Sequence, residues 1–134
     1  MISRFPTLRV TADFSHFLVV CERLLNHPSD VERMKTIIER ADHIHARVGT
    51  VQHAQVNNPL VDAPVEAELM QQWWQMIWTQ RKKHGKKYVT LTPEYGPVPY
   101  ATNIDVDVWK LINDEMNRQK NNFRQWLTKF DQEN

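Results

Sequence analysis

The chain has a single cysteine, Cys21. No disulfide can form within it, which excludes the cross-linked framework of a small secreted domain and suits a reducing compartment. It also lacks a long apolar run. The longest, residues 17–21, is far short of the roughly 20 residues that span a bilayer. No signal-peptide pattern precedes it, so a cytoplasmic protein is expected. Nor is there an excess of one charge: the formal net charge is +1, which makes no electrostatic case for nucleic acid or an anionic membrane. Internal repeats and low-complexity tracts are absent. What remains is an ordinary globular composition, 41% hydrophobic and 25% charged over 134 residues. That is enough for one domain, residues 1–134, with a real core.

Hydrophobic periodicity orders this domain. In residues 7–12, Leu8, Val10 and Ala12 alternate with Thr7, Arg9 and Thr11, which predicts a strand. Ser15 is a candidate N-cap for an apolar helical stretch over 17–25, interrupted by Asn26, His27 and Pro28. Ser29 or Asp30 then caps a second helix, with Val31, Met34, Ile37, Ile38 and Ala41 at helical spacing. Residues 43–48 form the second predicted strand, and a long loop follows over 49–63. A helix over 64–84 has Pro64 in its first turn, Glu66 and Glu68 near its start and Arg81, Lys82 and Lys83 near its end, as the helix dipole favours. Gly85 terminates it. Residues 88–92 are the third strand, and Asp105 or Asp107 opens a last helix reaching towards Phe130. Strands alternating with helices imply a parallel α/β sheet with right-handed crossovers.

Each strand ends beside a residue able to bind a metal. Asp13 follows the first, in the segment Thr-Ala-Asp-Phe-Ser-His; His45 lies in His-Ile-His-Ala-Arg; Glu94 lies in Leu-Thr-Pro-Glu-Tyr-Gly. Active sites of parallel α/β folds assemble at the C-terminal ends of the strands. Two carboxylates and an imidazole converging there describe a divalent-metal site, oxygen-rich enough for Mn²⁺ or Mg²⁺, with Zn²⁺ or Co²⁺ as alternatives. Plainer readings stand beside this one. Asp13 suits a helix N-cap. His43 and His45 share a strand face, where His45, nearer the strand's end, is the candidate ligand and His43 a supporting group. Glu94, at the end of an apolar strand, needs a partner or a metal, and a salt bridge to Arg47 is the simpler alternative. The basic run 81–87 falls on the helix-to-strand side, opposite the site. Trp73, Trp74 and Trp78, with Met70 and Ile77, read as a core-packing helix face.

These segments resemble the xylose-isomerase-like TIM-barrel superfamily, which includes the sugar phosphate isomerases and epimerases. Asp13-Phe14-Ser15-His16 resembles the Asp-x-x-His that ends the sixth strand, His43-Ile44-His45 the His-x-His of the seventh, and Glu94 the glutamate of the eighth. A complete barrel needs about 250 residues, or roughly 31 per βα unit. The resemblance therefore implies a partial (β/α) barrel made of the last three βα units. It also implies metal binding by Asp13, His45 and Glu94, and catalysis by Glu94 as a base with His16 as a partner. Substrate contacts would come from His16, Arg47 and Tyr95. The implied reaction is metal-dependent proton transfer next to the carbonyl of a sugar or sugar phosphate. The family's fourth ligand, a glutamate on an earlier strand, belongs to a half that this chain lacks, so the isolated chain is expected to be weakly active or inactive.

Two other readings follow from the missing half. Open strand edges and an uncovered inner face favour association, as a homodimer or with a partner chain supplying the rest of the barrel. The chain is then either one part of a split isomerase or a truncated, non-catalytic assembly module. The superfamily's endonuclease IV branch, a metal-dependent DNA-repair enzyme, is the third reading. The near-neutral charge and the placement of the basic run speak against it.

Overall fold

The protein, described here from a computed structural model covering residues 4–133, is a mixed α/β fold built on three short parallel strands. They are β1 (Val10–Ala12), β2 (Ala41–His45) and β3 (Thr90–Thr92). They lie side by side in chain order, β1 and β3 each pairing with β2. The register aligns Thr11 with His43, Ala12 with Ile44, and His45 with Thr92. The alternating strand and helix order expected from periodicity is therefore present, although the strands are shorter than residues 7–12, 43–48 and 88–92.

Strand β2 is displaced: it begins two residues before 43 and ends at His45, leaving Arg47 and Val48 in the following loop. The backbone hydrogen bonds give the reason. Ala46 N–H still donates to Thr92 O at 2.8 Å. Beyond it, Val48 N–H donates to the Tyr95 hydroxyl at 3.1 Å, and Val48 O accepts from Val56 N at 3.0 Å. These partners satisfy the backbone without a strand neighbour. In the same loop Gly49 meets the chain so closely that a Cβ there would stand 2.5 Å from His53 O, so no side chain fits.

The helix starts differ from expectation in an informative way. Helix α1 (Phe14–Cys21) is capped by Asp13 rather than Ser15. Asp13 Oδ1 accepts from Ser15 N at 3.1 Å and from the Ser15 hydroxyl at 2.6 Å. The helix stops at Glu22, whose φ of 51° is left-handed. Helix α2 (Pro28–Ile38) is capped by His27 rather than Ser29 or Asp30, with Pro28 in the first turn. Asp30 is instead buried and paired with Arg23 at 2.7 Å. A one-turn helix α3 (Pro59–Asp62) interrupts the long loop, and α4 (Pro64–Lys83) follows at once. Gly85 leaves α4 with a φ of +68°. Helix α5 (Val108–Glu133) begins after Asp107, whose Oδ1 accepts Lys110 N at 2.9 Å.

The core lies between the sheet and its helices. Ala12, Ile44 and the half-buried Leu91 pack towards Phe14, Leu18, Met70, Trp74, Ile77 and Trp78. Phe14 meets Trp73 at 5.0 Å between ring centroids, and Trp78 meets Phe123 of α5 at 5.1 Å. The tryptophans of α4 are thus core, as their helical spacing predicts. The other face of the sheet carries Thr11, His43, His45, Thr90 and Thr92, all exposed or half-buried. The side chains of this face are hydroxyls and imidazoles. No described helix is long and apolar enough to cross a membrane.

Candidate metal centre

Parallel strands in register bring their C-terminal ends to one edge of the sheet. Asp13 stands immediately after β1, His45 is the last residue of β2, and Glu94 is two residues past β3. One ligand atom from each lies within 4.8 Å of the others. His45 Nδ1 touches Glu94 Oε2 directly. That oxygen is shielded from solvent and makes no hydrogen bond of acceptable geometry. A shielded carboxylate oxygen with a spare lone pair, beside an imidazole nitrogen, suits a cation.

Arg47 occupies the middle of the site. It is among the largest fully buried side chains of the protein. Its Nη2 donates to Asp13 Oδ2 at 2.7 Å and to His16 Nε2 at 2.7 Å, and its Nε donates to Ser15 Oγ at 3.2 Å. Since a guanidinium has no acceptor, His16 Nε2 must be the accepting nitrogen, which puts the proton of a neutral His16 on Nδ1. Arg47 Nη1 stands 3.8 Å from Glu94 Oε1, and the guanidinium carbon lies 5.3 Å from the Tyr100 ring centroid. The salt-bridge reading of Glu94 thus has a geometric basis, although Asp13 is the closer partner. Both oxygens of Asp13 are engaged, Oδ1 by Ser15 and Oδ2 by Arg47. Because a carboxylate offers about four lone-pair sites, a metal can still share Oδ2.

The supporting groups are built from both neighbouring strands. His43 is held between the Thr90 hydroxyl at 2.7 Å and the Thr92 hydroxyl at 3.1 Å. Burial, with the adjacent His45 adding to it, lowers the His43 pKa. His43 also packs edge-on against His45, 5.4 Å between ring centroids. Gln55, also buried, clamps the loop bearing Glu94: its Nε2 donates to Gly96 O at 2.9 Å, and Gly96 N donates to its Oε1 at 2.8 Å.

The structure gathers Asp13, His16, His45, Arg47 and Glu94 into one cluster. Tyr95 has a different environment. It is buried, its hydroxyl accepts Val48 N–H, and burial together with nearby Glu115 pushes its phenol far above the ordinary range. It holds the loop after β2 against the loop after β3. Sequence reasoning missed Ser15 as the link between Arg47 and Asp13, and Gln55 as the clamp. Ser15 carried the signal of a cap, and Gln55 carried none beyond its place in a polar loop. No protein-family model, curated protein or solved structure matches the chain.

Proposed function

We propose that Asp13, His45 and Glu94 bind a divalent cation, Mn²⁺ or Mg²⁺ by donor chemistry and Zn²⁺ or Co²⁺ next. We further propose that the chain is a partial (β/α) barrel of the xylose-isomerase-like kind. Its sugar or sugar phosphate isomerase chemistry would be completed by a partner chain. The observation that carries this reading is the meeting of three ligand atoms within 4.8 Å at the ends of three consecutive parallel strands. When bound, the cation supplies a Lewis acid for the carbonyl and hydroxyl of a sugar. Glu94 accepts a proton from the carbon next to that carbonyl, and His16 and Arg47 orient the substrate. Only one base is available, and losing one member of an acid–base pair costs about 10²–10⁴-fold, so the isolated chain turns over poorly.

The test is Mn²⁺ titration of the chelator-treated protein, followed calorimetrically. One site is expected, weakened about tenfold or more in Glu94→Gln and His45→Ala, because even groups supporting a ligand are worth about 10–100-fold. Circular dichroism checks that both variants remain folded. Equal binding by all three proteins, or none, ends the metal reading.

Arg47 favours a second reading. A buried guanidinium already neutralises Asp13, so the cluster also works as an ion-pair network that ties three loops together in a non-catalytic assembly module. Under that reading no cation binds, and Glu94→Gln lowers the stability of the metal-free protein by removing the charge that ties in the loop after β3.

A further inference from the structure

A second surface lies away from the metal cluster, between β3 and α5. It is a groove of about 510 Å³, within the range of about 300–1,000 Å³ typical of binding clefts. Val89 and Leu91 line it from the β3 side, Met116, Phe123 and Leu127 from α5, and Trp78 from α4. Tyr88 also lines it and is 73% exposed. Tyr88 and Val89 immediately precede β3 and Leu91 lies within it, so the groove runs beside the segment that enters and forms β3. The outer edge of β3 is open: among the described residues β3 pairs with β2 alone.

Four lysines rim the groove: Lys82, Lys86, Lys87 and Lys120. Lys82 is paired with Asp131 at 3.1 Å. The other three form no ion pair among the described residues, so the rim offers uncompensated positive charge. This decides against a second copy of the chain. A two-fold pairing of β3 with β3 is the simplest closed arrangement, but it would set each lysine rim against the other, and like charges facing across an interface repel.

We propose that the β3 edge and this groove form a docking surface for an extended, acidic and apolar segment of another protein. The segment adds a strand to β3. Its backbone pairs with the open edge, its apolar side chains enter the groove between Leu91 and Phe123, and its carboxylates meet Lys86, Lys87 and Lys120. This inference rests on the parallel sheet and the groove and uses nothing of the metal reading; it takes the β3 edge that a barrel-completing partner would pair with, so the two occupants exclude each other.

The probe is a capped synthetic peptide of about ten residues alternating glutamate with valine, titrated into the full chain to about 1 mM and followed by tryptophan fluorescence and calorimetry. Three comparison ligands accompany it: the same peptide with lysine for glutamate, the glutamate peptide N-methylated on one edge, and dodecanoate. Saturable binding of the glutamate peptide is expected. Binding should weaken at least about tenfold, or by about 1.4 kcal/mol, for the lysine peptide and again for the N-methylated one. The exposed double variant Lys86→Glu, Lys87→Glu should lose the glutamate peptide and gain the lysine peptide while its circular dichroism is unchanged. No saturable binding, equal binding of the two charge forms, or indifference to N-methylation overturns the proposal. So does dodecanoate binding in place of the peptide, or self-association that fills the groove at the same concentration. Mn²⁺ binding should be unaffected by the double variant, which separates failure here from failure of the metal reading.

Discussion

The two faces of the three-stranded sheet are made by the same backbone and differ in almost every other respect. On the helix side Ala12 and Ile44 are fully buried and Leu91 is half-buried, beneath the tryptophans of α4. On the open side Thr11, His43, His45, Thr90 and Thr92 remain in reach of water, and the imidazole of His43 is pinned by two threonine hydroxyls. Period-two alternation sorts the residues. It places the hydrophobic driving force on one side and the groups that can bind, ligate or move protons on the other. The candidate centre sits where the open side meets the strand ends.

This division makes a strong prediction about stability. Trp74→Ala removes a fully buried side chain and should cost about 3–5 kcal/mol. Thr11→Val, on the exposed face, should stay within about 0.5 kcal/mol. Urea denaturation measures both. Comparable losses would mean that the open face is covered in solution and that the two sides are not distinct.

Arg47 belongs to the site yet is buried like the core, so it sharpens the contrast. Arg47→Met removes the partner of Asp13 and should cost about 3–5 kcal/mol in metal-free buffer, as breaking buried ion pairs does. The same variant removes a positive charge from beside the three ligands. Added Mn²⁺ should then restore part of the loss, because a ligand that binds only the folded state stabilises it. Thermal melts with and without Mn²⁺ read both effects. A loss that Mn²⁺ leaves untouched would make the cluster a structural ion-pair network.

A smaller effect than at Arg47 is expected at Asp42, at the opposite end of β2 from the site. The hydrogen bond from Arg9 first, then the charges of Arg9 and Arg81, lower its pKa despite opposing burial. Its folded-state value therefore lies below the unfolded one. The stability it contributes is complete above the unfolded value of about 3.9 and is lost as the pH falls through the folded one. Arg9 and Asp42 are substantially exposed, so the gain is about 1 kcal/mol at most. Asp42→Asn should flatten the acid limb of a stability–pH profile below about pH 4 by that amount. A profile unchanged by the substitution would show that these pairs contribute nothing measurable.

Much of this arrangement was legible in the chain. Alternation in residues 7–12 and the helical spacing of Trp74 and Trp78 are local signals, and each led to the element observed. Asp13, His45 and Glu94 could be singled out because chemistry-bearing residues at strand ends are conspicuous against apolar runs. Caps were less legible. Asp13, Ser15, Ser29 and Asp30 are all competent caps, yet the caps observed are Asp13 for α1 and His27, not a usual capping residue, for α2. The end of β2 was illegible, because Val48 leaves the sheet to pair with Tyr95, 47 residues away.

The sequence by itself determined that three strands alternate with helices, that His43 and His45 share one face of β2, and which three residues at the strand ends are competent to hold a cation. Those properties follow from periods of 2 and 3.6 residues and from side-chain chemistry, both local. Tertiary structure alone decided that Arg47 would be buried between Asp13, His16 and Ser15, that Gln55 would clamp the loop of Glu94, and that an apolar groove would open beside β3. Arg47 and Asp13 are 34 residues apart, and Gln55 and Gly96 are 41 apart. Whether such groups meet depends on strand register and loop path, which are set by packing across the whole domain and leave no periodic trace in the chain.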